Sequence, residues 1–194
     1  MSTIDFKTFT SIAPSVLAQR LPVMIRGKHG IGKSEVVYQT ARDLDLPVVE
    51  RRASQMTEGD LIGMPDADST ITEKGNKVTS WNAPDWLIQA CEYPVVLFLD
   101  EVDRATPEVR QGIMELTDSR KIYGRHLHPE TLIIAAVNGG EECGSQYQVG
   151  ELDPAELDRW WVVDVEPTIE DWLVWAKENV DSFVWDFINN NREH

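Results

Sequence analysis

Cysteine is scarce: Cys91 and Cys143 are the only two, far apart in sequence and with no metal-type spacing. A disulfide framework is not indicated, and a reducing compartment, the cytosol, is the expectation. No run of about 18 apolar residues occurs, so no segment is expected to span a membrane. The first residues, MSTIDFKTF, lack a basic flank followed by an apolar stretch, so no signal peptide is expected. Basic residues are also short in supply, 18 Lys and Arg against 33 Asp and Glu, for a formal charge of −15. That balance argues against wrapping a nucleic-acid backbone, which needs a basic surface, but leaves room for a small basic channel in an acidic body. Repeats and low-complexity linkers are missing as well.

What is present is enough apolar residue, 42%, to fill the core of one full domain, with room for the start of a second. The stretch that organises the chain is GKHGIGKS, residues 27–34. It fits the phosphate-binding pattern G-x-x-x-x-G-K-[ST], with Gly27, Gly32, Lys33 and Ser34 at the fixed positions. Glycines permit the backbone angles that turn consecutive N–H groups inward around phosphate oxygens. A helix that follows aims its partially positive N-terminus at the same anion. Lys33 is placed to reach the β- and γ-phosphates of ATP, and Ser34 to ligate Mg²⁺. Lys28, His29, Gly30 and Ile31 fill the variable positions, and Glu35 follows in the first helical turn, so the whole run 27–35 is the expected nucleotide contact.

Periodicity places this loop in an α/β chain. A lead-in helix is expected within residues 1–21, with Ile12, Val16 and Leu17 on one apolar face. Strands are expected at 22–26, 46–54, 94–100, 131–138 and 161–165, and helices at 33–44, 84–92, 107–118 and 168–179, with a short one inside 151–160. Ile169, Trp172, Leu173 and Ala176 form one face of the last long helix, and Val180, Val184 and Phe187 extend that face. Residues 55–65 show no clear period, 69–80 read as a polar hairpin around Lys74, Gly75 and Asn76, and 120–129 as a basic hairpin or loop. Alternating strands and helices imply a mostly parallel five-stranded sheet with the phosphate loop at the strands' carboxyl ends.

A second motif sits on such a strand end. VVLFLDEVDR, residues 95–104, is a continuous apolar run closing on Asp100 and Glu101. Asp100 would hold Mg²⁺, directly or through water, and Glu101 would orient and deprotonate the attacking water.

The order GKHGIGKS, LFLDEVDR, Asn138 after a buried strand, then LDPAELDRW resembles the AAA+ ATPases, and within them the MoxR-like group. The resemblance covers nearly all of residues 12–179. GDLIGMP followed by a hairpin is similar to the group's second-helix insert, and SRKIYGRHLHPET to its hairpin before the sensor strand. The resemblance implies a P-loop NTPase three-layer sandwich, with residues 1–167 as the nucleotide-binding domain and 168–194 as the start of an α-helical lid. It implies that Asn138 is the sensor-one residue that helps position the hydrolytic water. It also implies that Arg159 is an arginine finger reaching the site of the neighbouring subunit. Arg104 is either a second interface arginine or a local partner of Asp103. A sensor-two arginine of the lid has no counterpart, since only Arg192 lies beyond Lys177. The activity implied is ATP hydrolysis in a ring, typically a hexamer, that remodels a partner protein, often alongside a von Willebrand factor A-domain protein. Two rivals are a nucleotide-gated adaptor with little turnover and a DNA-associated motor or loader.

Other residues invite bland readings. His126 and His128 read as polar hairpin residues, and the tryptophans 160, 161, 172, 175 and 185 as packing. Arg104, Arg110, Arg120, Lys121 and Arg125 concentrate positive charge in one segment, with part of it expected to face a neighbour's triphosphate or a central pore.

Overall fold

A computed structural model describes residues 3–66, 70–71, 74–139 and 152–191. Five strands make one sheet: β1 (Val23–Gly27), β2 (Val48–Arg52), β3 (Val96–Asp100), β4 (Leu132–Asn138) and β5 (Trp161–Asp164). Their order is β5-β1-β4-β3-β2, and every neighbouring pair is parallel. The expected architecture is therefore observed, with each strand within two residues of its expected bounds.

Strand alternation sends successive side chains to opposite faces. Met24, Leu97, Leu99, Ile133 and Ala135 point into one core, and Ile25, Phe98, Ile134 and Ala136 into the other. Helices α1 (Phe6–Ala18) and α2 (Lys33–Asp43) cover the second face with Phe9, Leu17, Val36 and Val37. Helices α3 (Glu58–Ile62), α4 (Asp85–Glu92) and α5 (Pro107–Ser119) cover the first with Leu61, Trp86, Leu87, Ile113 and Leu116. A sheet buried on both faces explains why its central strands are unbroken apolar runs.

Three local readings need correction. The buried stripe of α1 is Phe9, Ala13 and Leu17, spaced by two helical steps of four, whereas Ile12 faces solvent. Residues 55–65, which lack a period, contain α3; it is too short for a period to register, and a capping box between Thr57 and Asp60 marks its start. Trp86 fixes it by donating its indole N–H to the Asp60 carbonyl at 2.8 Å. The insert that follows pairs Met64–Pro65 with Trp81–Asn82, and Thr70–Ile71 with Lys77–Val78, so the hairpin is longer than expected. Residues 69, 72 and 73 of that expected hairpin lie outside the described residues.

The short helix α6 (Pro154–Leu157) precedes β5, and α7 (Ile169–Asn179) and α8 (Ser182–Asn190) follow it. Asp171 ties α7 to the sheet domain: its carboxylate accepts the N–H groups of Phe6 and Lys7 at 3.2 Å each and that of Thr168 at 2.9 Å. One side chain thus caps the starts of two helices. Of the expected α7 face, Leu173 and Ala176 are buried but Ile169 is exposed. Val184 and Phe187 are exposed too, and α8 is instead fastened by the Trp185 indole, which donates to the Leu173 carbonyl at 2.8 Å.

Candidate nucleotide site

β1 runs straight into the loop, and two glycines shape it. A Cβ on Gly27 would lie 2.7 Å from the Val165 carbonyl oxygen and 2.8 Å from Ile31 Cδ1, so no side chain fits there. Gly32 opens α2 at φ +97, a left-handed conformation that glycine adopts without penalty. No side chain caps this helix, which leaves its first N–H groups to an anion. Gly30 is also left-handed, His29 is exposed, Ser34 sits half-buried in the first turn, and Ile31 packs over Gly27. Lys28 pairs with Glu166 at 3.7 Å and Glu35 with Arg42 at 2.9 Å, both at the surface.

Lys33 is buried, 8% exposed, and its ammonium is fully engaged. Nζ donates to the carbonyls of Gly27 at 3.0 Å and Lys28 at 2.8 Å, and to Asn138 Oδ1 at 2.9 Å. A buried cation needs such partners. Phosphate oxygens would replace them with a stronger, charged acceptor.

Sheet order brings the acidic motif to this edge. Gly27 pairs with Asn138 across β1 and β4, and Ala136 with Asp100 across β4 and β3. Burial pushes the Asp100 carboxyl above the ordinary aspartate range, helped by Glu101 and Glu50 nearby and opposed by the Glu101 N–H, which it accepts at 2.9 Å. A divalent cation there would restore the ionised form. Glu101 itself stands at φ 54, a conformation disfavoured for a residue with a side chain. Its Oε2 accepts the Ser54 hydroxyl, and its Oε1 lies 3.9 Å from Arg104 Nη1. Arg104 is therefore a local partner of Glu101 and not, by direct contact, of Asp103. Behind this edge Tyr38 donates its hydroxyl to Glu50, which pushes the phenol up to about 12.

Ser54 and Tyr38 are neighbours of the site that sequence reasoning missed. Ser54 lies two residues past the end of β2, and only the placement of β2 beside β3 brings it to Glu101.

Arg159 lies elsewhere. It follows α6, donates to the Ala155 carbonyl one turn back, and has its Nε 3.9 Å from Asp118 at the end of α5. None of its recorded contacts among the described residues is with the loop or the acidic pair. Arg110 reaches Glu156 at 3.4 Å, and Arg120 donates to the carbonyls of His128 and Thr131 at 3.2 and 2.5 Å. The expected basic segment is thus divided: Arg110 and Arg120 are committed to packing, while Arg104 and Arg125 stay exposed.

The comparisons with known proteins bear on the same residues. Residues 22–160 match the AAA domain, dynein-related subfamily, a span that holds the loop, the acidic strand, Asn138 and Arg159. The chain belongs to that family. It is an AAA+ ATPase domain of the MoxR-like kind its motifs indicate. It is 28% identical over 155 residues to the aerobic cobaltochelatase subunit CobS of a Sinorhizobium species, covering 73% of this chain and 45% of CobS. It is 26% identical over 178 residues to protein CbbQ of Hydrogenophilus thermoluteolus, covering 85% of this chain and 61% of CbbQ. The chain therefore spans less than two thirds of either relative. Among solved structures, NtrX from Brucella abortus in complex with ADP shares the fold at a TM-score of 0.58 and 20% identity, over 87% of this chain and 37% of that one.

The geometry fits a nucleotide with its cation. Gly27 and Gly32 leave the cradle that side chains would fill, Lys33 is the buried cation, and Ser34 and Asp100 are the oxygen donors suited to Mg²⁺. No helix of the described residues is long and apolar enough to cross a membrane.

Proposed function

We propose that this domain, in the cytosol, hydrolyses ATP to ADP and phosphate at the junction between two copies of itself. The observation that carries the reading is the 2.9 Å contact of Lys33 Nζ with Asn138 Oδ1, one strand away from Asp100 and Glu101. It joins the phosphate-binding lysine, the polar end of β4 and the acidic end of β3 at one sheet edge. Lys33 binds the β- and γ-phosphates, and Ser34 and Asp100 hold the Mg²⁺ that offsets their charge. Asn138 orients the attacking water, and Glu101 accepts its proton once released from Ser54 and Arg104. A water aligned by two fixed groups attacks more readily than a free one, because its rotational freedom has been given up before the moment of reaction.

Arg159 completes the site of a neighbouring subunit in a ring, which we take to be hexameric. A guanidinium there neutralises charge that develops on the transferred phosphoryl group. Residues 1–167 then form the hydrolytic body and 168–194 open the lid, with Asp171 coupling the two. The cycle remodels a partner protein and works alongside one with a von Willebrand factor A domain; CobS, by its name a subunit of a larger enzyme, supports work on a protein partner. The test is phosphate release measured alongside nucleotide affinity for Glu101→Gln. We expect unchanged affinity with turnover reduced by orders of magnitude. Unchanged turnover would place the base elsewhere, and absent turnover in the unaltered ring would favour a nucleotide-gated adaptor.

A further inference from the structure

One buried carboxyl at this edge has no part in the chemistry above. Asp103, in the short turn Val102–Arg104 after the acidic pair, is 3% exposed. Its Oδ2 accepts the Asn138 backbone N–H at 3.2 Å. Its Oδ1 is buried with no hydrogen-bond partner among the described residues. Burial pushes this carboxyl above the ordinary range, while the Asn138 N–H, Arg104 and Lys33 pull it back. A half-satisfied buried carboxyl is costly, so its one strong contact calls for an explanation.

The sheet supplies it. β4 extends to Asn138 on its β1 side, where Asn138 pairs with Gly27. On its β3 side the ladder stops two residues earlier, at Ala136 and Asp100, because the chain leaves β3 through the left-handed Glu101. Asn138 therefore has no strand residue opposite it on that side. The Asp103 carboxylate takes the place of the missing strand carbonyl. The strand ends at Asn138, Gly139 follows at φ +134, and among the described residues no ladder continues past it.

We infer that Asp103 is a positioning residue for hydrolysis: it completes the end of β4 and fixes the Asn138 backbone so that its amide faces Lys33 and the reacting phosphate. Asn138 is then held at both ends, its N–H by Asp103 and its side-chain oxygen by the loop lysine. This rests on the proposed role of Asn138 in turnover.

The experiment measures kcat and nucleotide affinity for Asp103→Ala, Asp103→Asn, Asn138→Ala and the double variant Asp103→Ala with Asn138→Ala. Asp103→Ala is expected to lower kcat about tenfold or more while affinity changes less than about threefold, the pattern of a lost transition-state interaction. Asp103→Asn keeps an oxygen for the Asn138 N–H and should recover most of the rate. In the Asn138→Ala background, Asp103→Ala should cost less than about twofold further, because it acts through that side chain. Independent, multiplying losses in the double variant would overturn the inference. So would equal loss of affinity and rate, or an Asp103→Asn no better than Asp103→Ala. If Asp103→Ala does not fold, Asp103→Ser, too short to reach Asn138, takes its place against Asp103→Asn. A normal rate in Asn138→Ala overturns the sensor reading itself and the inference with it, whereas a low rate there with a normal rate in Asp103→Ala overturns the inference alone.

Discussion

The loop edge and the Arg159 corner carry residues from the same set of motifs, yet they are built in opposite ways. At the loop edge, Lys33, Asn138 and Asp103 are linked by hydrogen bonds, and beside them Ser54, Glu101 and Asp100 by a second set, at neighbouring ends of β4, β3 and β2. At the corner, Arg159 is folded back onto the Ala155 carbonyl and faces Asp118, on the surface of α5 and α6. One region is pre-organised within the chain, and the other holds a part-buried guanidinium, 30% exposed, whose buried Nε has no hydrogen-bond partner among the described residues and faces Asp118 at 3.9 Å. An arginine whose Nε is left without a hydrogen-bond partner can be given up to a neighbour, whereas a lysine locked beneath its own loop by three acceptors cannot.

That contrast is sharpest where binding and turnover separate. Lys33→Ala removes the cation at the centre of the loop edge and is expected to abolish nucleotide binding measurable by calorimetry; retained affinity would remove the loop from the account. Arg159→Ala touches only the corner. It should leave affinity intact while turnover falls roughly a thousandfold or more in the assembled ring. Loss of affinity in that variant would place the arginine in its own chain's site. Glu101→Gln, at the loop edge but outside binding, should slow turnover by roughly 10²–10⁴ with affinity kept.

The smallest effect tests the support behind the edge. Tyr38→Phe removes a hydrogen bond to Glu50 and should cost about 1–2 kcal/mol in urea unfolding near neutral pH. The sign with pH follows from a raised phenol. The hydroxyl's contribution is complete below the ordinary tyrosine value of 10 and is lost as pH rises through about 12. The gap between the two proteins should therefore be constant at neutral pH and close only in strong alkali. A gap that closes below pH 9 would show that the hydroxyl is not bonded to Glu50.

The loop edge was legible in the sequence because phosphate chemistry fixes residue types at fixed spacings. GKHGIGKS allows few backbones, and an apolar run closing on Asp100 and Glu101 reads as a buried strand end wherever it occurs. Legibility fails where contacts join distant residues. Ser54 and Glu101 are 47 positions apart, and Asp103 and Asn138 35 apart, so only the order of strands makes them neighbours. The basic segment failed for the same reason in reverse. Arg110 and Arg120 are close in sequence to Arg104 and Arg125, but α5 turns Arg110 toward Glu156, and the left-handed Arg120 at its end bonds the 128–131 turn. Exposed Ile12 shows a smaller version: a helix offers several apolar stripes, and the partner it meets, here α2 and the sheet, selects one.

The central claim is that one chain supplies Lys33, Asp100, Glu101 and Asn138 while the next supplies Arg159. It is tested most directly by mixing two inactive variants, Arg159→Ala and Glu101→Gln, in a form that assembles. Where an Arg159→Ala chain brings the acidic pair and a Glu101→Gln chain brings the arginine, the junction is complete, and phosphate release should reappear in the mixture. If the two demonstrably co-assemble, bind ATP and stay inactive, Arg159 does not act across the interface.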